Sequence, residues 1–246
     1  MFVYAAGITE TWPAIRAGVV HARSVTNGPS PPALLQEYRA EQRAASEKLE
    51  TLAIADHKSI GAWRRAFSQF GAKPTQYRSA PEALLRRLAK QGDIPTINTL
   101  VDIGNLISVR YAMPVAVFDM ANIAGTITVR HATGAEVFSD LGSSAGVSPE
   151  VGEVVFVDEE DVVCARRWCW RQSAQSATSP TTSEALFVVE GLHDTAEADI
   201  GAATRDVISL LTVHQPDAGL TSYRLSATAP STDSSEAVEP TDRGAS

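Results

Sequence analysis

The chain has 246 residues, a formal net charge of −8 at pH 7 and an apolar fraction of 44%. These values favour one globular domain with appended segments, and no apolar run approaches the roughly 18 residues of a membrane span. The opening residues, MFVYAAGITETW, lack the basic and long apolar regions of a secretion signal. We therefore expect a soluble, cytoplasmic protein without a membrane partner.

The first 57 residues are predicted to contain two strands, FVYAA and AGVVHARSV, a turn at residues 27–32 and a polar helix over residues 33–57. Three more helices follow: SIGAWRRAFSQFG, SAPEALLRRLAKQG and NTLVDIGNLISVRYAMP. The middle one has the clearest boundaries, because Ser79 is a cap, Pro81 lies in the first turn and Gly92 stops the helix.

After Pro114 the pattern changes to strands rich in Val, Ile and Phe. They are VAVFD, GTITVRHA, EVVFVD, DVVCARRWCWRQ and ALFVVEGL, and a helix over residues 195–214 follows them. Residues 226–246 are poor in apolar side chains and are predicted to be a disordered tail.

This order of elements predicts a single mixed α+β domain, a β-sandwich-like core flanked by helices. We divide the chain into N-terminal strands and a helix packing on the core (1–57), the main domain (58–225) and the tail (226–246).

The cysteines and histidines indicate neither a disulfide nor a metal site. Cys164 and Cys169 are five residues apart. On a strand that spacing is roughly 16 Å with the side chains on opposite faces, whereas a disulfide needs Cα atoms within about 7 Å. The five histidines lack the spacing of metal ligands. We expect no metal and no other cofactor.

Positive charge is concentrated between Lys58 and Arg110, where nine basic and three acidic residues give a formal charge of +6. A basic segment in an acidic chain indicates a polyanionic partner, and a solvated helix face is the alternative.

Three arginines and two tryptophans lie within RRWCWR, residues 166–171. As a strand, this segment places Arg166, Trp168 and Trp170 on one face. That face either stacks on nucleic-acid bases while arginines hold phosphates, or anchors the core with two tryptophans.

Two further features are candidate ligand sites. Asn98, Asp102 and Asn105 share one helix face by their spacing, although Asn98 also suits a helix cap. Glu190 ends the apolar run ALFVVE, and a carboxylate there either lines a pocket or faces solvent. The sequence contains no Walker-type loop and no GxSxG elbow.

The run from Tyr77 to Asp119 resembles the tRNA-editing (B3/B4) domain of the phenylalanyl-tRNA synthetase beta subunit. The family pattern I-N-x-x-V-D-x-T-N-Y, followed by Q-P-x-H-A-F-D, is matched by Ile97, Asn98, Val101, Asp102, Asn105, Pro114, Phe118 and Asp119. The likeness extends over roughly residues 58–212, and the chain is too short for the other modules of that subunit. It is similar to a freestanding relative of the editing domain, and an arginine-tryptophan segment such as RRWCWRQ is a feature of those relatives.

The resemblance implies a trans-acting aminoacyl-tRNA deacylase. In the family this domain hydrolyses the ester between tyrosine and the tRNA for phenylalanine. The resemblance assigns the tyrosine hydroxyl to Glu190 and places Asn105 in the same pocket. No side-chain nucleophile is needed, because a positioned water and oxyanion donors suffice. We expect the aminoacylated 3′ end of tRNA, and not DNA, to be held by Arg78, Arg110, Arg166 and Trp168.

The chain departs from the family pattern at the pocket. Gly104 stands where the family has threonine, Ala116 stands where it has histidine, and RQSAQSATSPTTS replaces a Gly-rich strand. The two smaller side chains predict a larger pocket and put both the tyrosine substrate and the activity in question. Two alternatives stay open: a non-catalytic tRNA- or RNA-binding module, and an amino-acid-binding sensor. The sequence does not indicate an oligomeric state.

Overall fold

Two β-sheets pack face to face in the computed structural model, which describes residues 1–143 and 146–238. Helices cover the outer face of one sheet. The arrangement confirms the predicted mixed α+β domain with a sandwich-like core. Across these residues, no helix has both the length and the apolar character that crossing a bilayer requires.

The described residues contain eleven strands and six α-helices. The strands are β1 (Phe2–Tyr4), β2 (Arg16–Arg23), β3 (Val115–Asp119), β4 (Ile127–His131), β5 (Phe138–Ser139), β6 (Gly146–Val147), β7 (Val154–Val157), β8 (Val163–Arg166), β9 (Arg171–Gln172), β10 (Glu184–Gly191) and β11 (Gly219–Ser226). The helices are α1 (Ala6–Thr11), α2 (Pro32–Leu49), α3 (Lys58–Gln69), α4 (Ala80–Gln91), α5 (Thr99–Tyr111) and α6 (Ala196–His214).

Sheet A has the strand order β1-β4-β7-β8-β9, and sheet B has the order β11-β2-β10-β3. The first strand, β1, pairs in parallel with β4, with Phe2 opposite Ile127. The remaining pairs of both sheets are antiparallel. β5 and β6 form a separate two-stranded ribbon. β10 is therefore a central strand, flanked by β2 and β3 within sheet B.

The alternation along β10 separates two cores. Phe187 and Val189 pack with the helices on the outer face of sheet B, whereas Leu186 and Val188 pack between the two sheets. Side chains alternate along a strand, so Glu190 follows Leu186 and Val188. The regular pairing of β10 thus directs a carboxylate into the space between the sheets.

The helix boundaries are confirmed most closely for α4. Gly92 takes a left-handed conformation, with φ of 80°, directly after the last helical residue, and glycine adopts this conformation without strain. Ser79 occupies the cap position, but its hydroxyl makes no capping hydrogen bond. The polar helix predicted over residues 33–57 is shorter, because α2 ends at Leu49 and a separate 3-10 turn covers Ile54–Asp56.

The strand predicted for residues 161–172 is wrong in its middle. β8 ends at Arg166, and both Arg167 and Trp168 have positive φ, 45° and 58°, so the alternation fails there. Two hydrogen bonds to residues of another part of the chain fix this turn. The Arg167 N–H donates to the Glu153 carboxylate at 2.9 Å, and the Trp168 N–H donates to the Val154 carbonyl at 2.7 Å.

The segment after β11 folds back over β1. Tyr4 N–H donates to the Pro230 carbonyl at 2.9 Å, and Thr232 N–H donates to the Phe2 carbonyl at 3.0 Å. Val238 N–H then donates to the Ser222 carbonyl of β11 at 2.8 Å. The predicted disordered tail, 226–246, therefore includes residues bonded to both sheets. Residues 239–246 of that prediction lie outside the described residues.

Helix α5 lies unusually close to β3 at Gly104. A Cβ built at this glycine would lie 2.7 Å from Cγ2 of Val117, which is shorter than an ordinary van der Waals contact. The absent side chain therefore allows the helix to approach the sheet, and the space at this position is already filled by Val117.

We expect Gly104→Ala to lower the free energy of unfolding by about 1–3 kcal/mol, because an added methyl group in a filled contact forces a shift of backbone or side chains. The matched control is Gly61→Ala in α3, where the nearest atom to the added Cβ, Nη1 of Arg65, is 3.6 Å away. This control should be neutral or stabilise by up to about 1 kcal/mol. Urea unfolding of both variants measures the difference, and equal stabilities would contradict the close helix–sheet contact.

Candidate functional site

A cavity of about 80 Å³ lies between the sheets, near the end of β10. It has several times the volume that one water molecule requires, roughly 10–15 Å³. Much of its lining is apolar and comes from both sheets: Val115 and Ala116 of β3, Phe156 of β7 and Ala165 of β8. The cavity therefore suits the apolar part of a small ligand or side chain.

Glu190 contributes a carboxylate to this apolar lining and is only 1% exposed. The Tyr4 hydroxyl donates to its Oε1 at 2.6 Å, and the Trp168 indole N–H donates to the same oxygen at 2.8 Å. Tyr4 comes from β1 of sheet A, whereas Trp168 comes from the turn between β8 and β9. Three distant parts of the chain thus meet at one carboxyl group.

Burial raises the pKa of Glu190 to about 7, while the hydrogen bonds from Tyr4 and Trp168 lower this pKa. Near neutral pH the carboxyl group is therefore present in both forms. The ionised form accepts hydrogen bonds only, and the neutral form also donates one. Burial also raises the pKa of the neighbouring Cys169 thiol, and the charge of Glu190 raises it further. This thiol is consequently a poor nucleophile at neutral pH.

Trp168 is wholly buried in a cluster of aromatic rings. Its ring centroid lies 4.9 Å from that of Trp12 and 5.0 Å from that of Trp63, both in edge-to-face orientations. The predicted RNA-stacking role requires an exposed ring face, and in this arrangement the ring instead holds Glu190. Because Arg167 and Trp168 adopt left-handed conformations, the indole points into the protein. The alternating pattern of a strand does not predict this orientation.

Arg166 is also engaged inside the protein. Its guanidinium donates two hydrogen bonds of 2.9 Å to Glu153 and lies over the Phe138 ring at 5.4 Å from the centroid. Only 11% of the side chain is exposed. The arginine predicted to contact RNA therefore fixes the strand that leads into the turn.

A group of cations and aromatic rings lies beside the cavity instead. The Arg167 guanidinium lies 3.8 Å from the Tyr77 ring centroid and 4.9 Å from that of Trp170. The Arg171 guanidinium lies 4.6 Å from the Trp170 centroid and donates to Asp140. Trp170 and Arg171 also line the cavity, and the Arg171 side chain is 45% exposed. Arg171 is thus an exposed residue of the lining, and Trp170 beside it is half-buried.

The structure separates two of the predicted pocket residues from Glu190. Ala116 lines the cavity, as the resemblance implied. Gly104 and Asn105 belong to α5, whose apolar residues pack on the opposite face of sheet B. Asn105 lies beside the Tyr38 hydroxyl and influences the pKa of that group. The prediction that Asn105 and Glu190 share a pocket therefore does not match the geometry.

The polar face of α5 has a structural role at the helix start. Asn98 Oδ1 accepts from the Val101 N–H at 3.0 Å, which is a helix cap. Asp102 is fully buried and accepts from the Ser30 hydroxyl at 2.6 Å and from the Ile97 N–H at 2.9 Å. Burial raises the pKa of Asp102, and these two bonds lower it.

Much of the basic segment is neutralised by nearby carboxylates. Glu82 is 1% exposed and accepts from Arg64 at 2.6 Å and from Arg86 at 2.7 Å. Arg110 donates to Glu41 at 2.7 Å and to Asp206 at 2.8 Å. These pairs reduce the positive field that the sequence predicted for residues 58–110.

Arg78 is the predicted RNA contact whose side chain is most exposed. It precedes Ala80, a lining residue, by two positions. Its side chain is 43% exposed, donates to the Thr75 carbonyl at 3.4 Å and stays 3.9 Å from the Glu82 carboxylate. This arginine therefore retains exposed surface for a partner.

A family model described as the B3/4 domain matches residues 62–205, which is more than half of the chain and includes Ala116, Trp168 and Glu190. The chain belongs to the B3/4 domain family. The family resemblance predicted from the sequence is thus confirmed, and the match spans both sides of the cavity.

The B3/4 domain is also similar to an N-terminal fragment of the phenylalanyl-tRNA synthetase beta subunit from Pyrococcus horikoshii. The identity is 11% and the TM-score is 0.44, and the comparison covers 89% of this chain and 49% of that chain. The chain therefore spans about half the length of that fragment. No curated protein matches this sequence.

Sequence reasoning missed Tyr4, the donor that lies closest to Glu190. The segment FVYAA was predicted as a strand, and the alternation places Phe2 and Tyr4 on one face. No local signal indicates a partner 186 positions away.

We expect Glu190→Gln to stabilise the protein at pH 8 and to have little effect at pH 5. The unfolded carboxyl has an ordinary pKa of 4.5, whereas the folded pKa is about 7. Below 4.5 both states are neutral. As pH rises from 4.5 to 7 only the unfolded state ionises, so the free energy of unfolding falls, and the full penalty of about 3 kcal/mol is present above 7.

Thermal unfolding at both pH values measures this effect. The control is Glu184→Gln on the same strand, where the side chain is 45% exposed and contacts His21 at 2.6 Å, and a change of no more than about 1 kcal/mol is expected. A Glu190→Gln variant that is no more stable than the wild type at pH 8 would contradict a buried, partly ionised carboxyl group.

Proposed function

We propose that this B3/4 domain is a trans-acting aminoacyl-tRNA deacylase, which hydrolyses the ester between a mischarged amino acid and its tRNA. The observation that carries the proposal is the single carboxylate of Glu190 in an otherwise largely apolar cavity. The B3/4 family match supports the proposal, because the resemblance noted in the sequence implies a tRNA-related role for this domain.

Selection of the amino acid follows from the buried acceptor. A side chain that carries a hydroxyl, such as tyrosine, pairs with Glu190. Phenylalanine would offer no donor to the second carboxylate oxygen, and a buried acceptor left without a donor is costly. The aromatic ring of the amino acid would lie beside β3, where Ala116 contributes only a methyl group to the lining.

The hydrolytic step needs no side-chain nucleophile. A water oxygen attacks the ester carbonyl carbon, the carbon–oxygen bond to the ribose breaks, and the ribose oxygen takes a proton as the amino acid leaves. Donors to the oxyanion come from backbone N–H groups or the neighbouring ribose hydroxyl. The protein positions the ester and the attacking water and supplies no nucleophile of its own, which agrees with the unreactive Cys169 thiol in the lining.

For the tRNA end we propose contacts by Trp170, Arg171 and Arg78. Trp170 and Arg171 line the cavity, Arg171 with an exposed side chain, and Arg78 is exposed two positions before the lining residue Ala80. These contacts replace those predicted for Arg166, whose guanidinium is bonded to Glu153, and for Trp168, which is buried. Because these residues would make few contacts to phosphate groups, we expect the affinity for RNA to depend only weakly on salt concentration.

A second candidate function is an amino-acid sensor that does not act on tRNA. The pairing of Arg64, Arg86 and Arg110 with carboxylates favours it, because little unpaired positive charge is left on that segment. A sensor would be stabilised by free tyrosine in proportion to its occupancy and would not bind tRNA.

The deciding experiment follows the loss of tyrosyl and phenylalanyl esters from the tRNA for phenylalanine in the presence of the protein. We expect tyrosyl ester hydrolysis to exceed phenylalanyl ester hydrolysis. In Glu190→Ala the tyrosyl rate should fall roughly 10- to 100-fold, because a hydrogen bond to a charged group is lost, whereas the phenylalanyl rate should hardly change.

The control for this assay is Glu184→Gln, which keeps the strand and should leave both rates unchanged. Equal loss of both rates in folded Glu190→Ala would remove amino-acid recognition from Glu190. If neither ester is hydrolysed, bound tRNA would indicate a non-catalytic binding module, and stabilisation by free tyrosine without tRNA binding would indicate the sensor.

A further inference from the structure

Tyr4 reaches Glu190 from the opposite sheet and donates its hydroxyl to Oε1 at 2.6 Å. We propose that Tyr4 is a positioning residue for ligand recognition, which occupies Oε1 of Glu190 so that a ligand donor meets only Oε2. The nature of the ligand rests on the proposed function, whereas the arrangement of Tyr4 and Glu190 is a property of the protein alone.

The geometry assigns different roles to the two carboxyl oxygens. The Tyr4 hydroxyl and the Trp168 indole N–H both bond to Oε1, and each carboxylate oxygen has about two acceptor positions. A further donor must therefore use Oε2. The cavity then suits a ligand with one hydroxyl or N–H donor at the end of an apolar side chain.

Tyr4 is held firmly enough to keep this position when a ligand enters. β1 pairs with β4 along one edge, and on its other edge Tyr4 N–H donates to the Pro230 carbonyl at 2.9 Å. The ring packs edge-to-face on Phe2 at 5.3 Å and is 2% exposed. A ligand hydroxyl therefore adds to the Tyr4 contact and does not replace it.

The Tyr4 hydroxyl also controls the ionisation of Glu190. The titratable groups that face this carboxyl are Tyr4 of β1 and Cys169 of the turn. Arg171 of β9 lines the same cavity and is paired with Asp140. The hydrogen bond from Tyr4 favours the carboxylate and lowers the pKa of Glu190 against the effect of burial. Without the hydroxyl, Glu190 is mostly neutral at pH 7 and accepts a ligand hydroxyl less well.

The test is Tyr4→Phe, which keeps the ring and removes the donor. Side-chain carboxyl ¹³C signals are followed between pH 4 and 10, and Glu190→Gln identifies the Glu190 signal. We expect the Glu190 midpoint to rise by about one pH unit or more in Tyr4→Phe. The optimum of tyrosyl ester hydrolysis should move upward by a similar amount, with the rate restored at higher pH.

The matched control is Tyr111→Phe, which removes a tyrosine hydroxyl that donates to Asp206 at 2.9 Å, away from the cavity. Its Glu190 midpoint should stay at the wild-type value. An unchanged Glu190 midpoint in folded Tyr4→Phe would overturn the proposal.

A measurement on the unmodified protein covers the case in which Tyr4→Phe fails to fold. The Cζ signal of Tyr4 should shift with the same midpoint as the Glu190 carboxyl, and a signal that ignores this titration would refute the contact. The carboxyl titration does not depend on catalysis. If the Glu190 midpoint rises in Tyr4→Phe but no ester is hydrolysed, the deacylase is rejected and the role of Tyr4 is retained. If the ester is hydrolysed but the midpoint is unchanged, the deacylase is retained and the role of Tyr4 is rejected.

Discussion

The buried carboxyl group of Glu190 is the constraint on which the space between the two sheets depends. A buried charge is costly unless donors satisfy it, and here the donors come from β1 and from the turn after β8. The turn must take two left-handed residues to bring Trp168 inward, and Glu153 holds that turn by accepting from the Arg167 N–H. The hydrogen bonds to Glu190 thus fix the position of β1 and the conformation of the turn between β8 and β9.

Local patterns predicted the parts of the fold that local forces decide. Gly92 ends α4 because the left-handed conformation after the last helical turn is a local property of the chain, and the apolar run that ends in Glu190 is correctly predicted as a strand. The strand predicted through Trp168 failed because the Glu153 and Val154 contacts that bend it are distant in sequence. Asn105 was placed with Glu190 because the resemblance assigns both to one pocket, whereas the packing of α5 puts it on the other face of sheet B.

The two small residues at family positions have different physical meanings. Ala116 faces the cavity, so its size affects what a ligand can occupy. Gly104 faces Val117, so its size affects how closely a helix packs on a sheet. The basic segment likewise has a role in the structure that differs from the one its sequence predicts. The basic segment is conspicuous in the sequence, yet Glu82, Glu41 and Asp206 engage several of its arginines.

The fold-back of residues 229–232 over β1 has a consequence for synthesis of the protein on the ribosome. Residues 2–4 emerge first, but one edge of this strand waits for residues 127–129 and the other edge waits for residues 230–232. Contacts of such long sequence separation form late, because the intervening chain must first be ordered. Tyr4 therefore reaches its final position only after nearly all of the described chain has been made, and a nascent chain shorter than this lacks the fully anchored hydrogen bond between Tyr4 and Glu190.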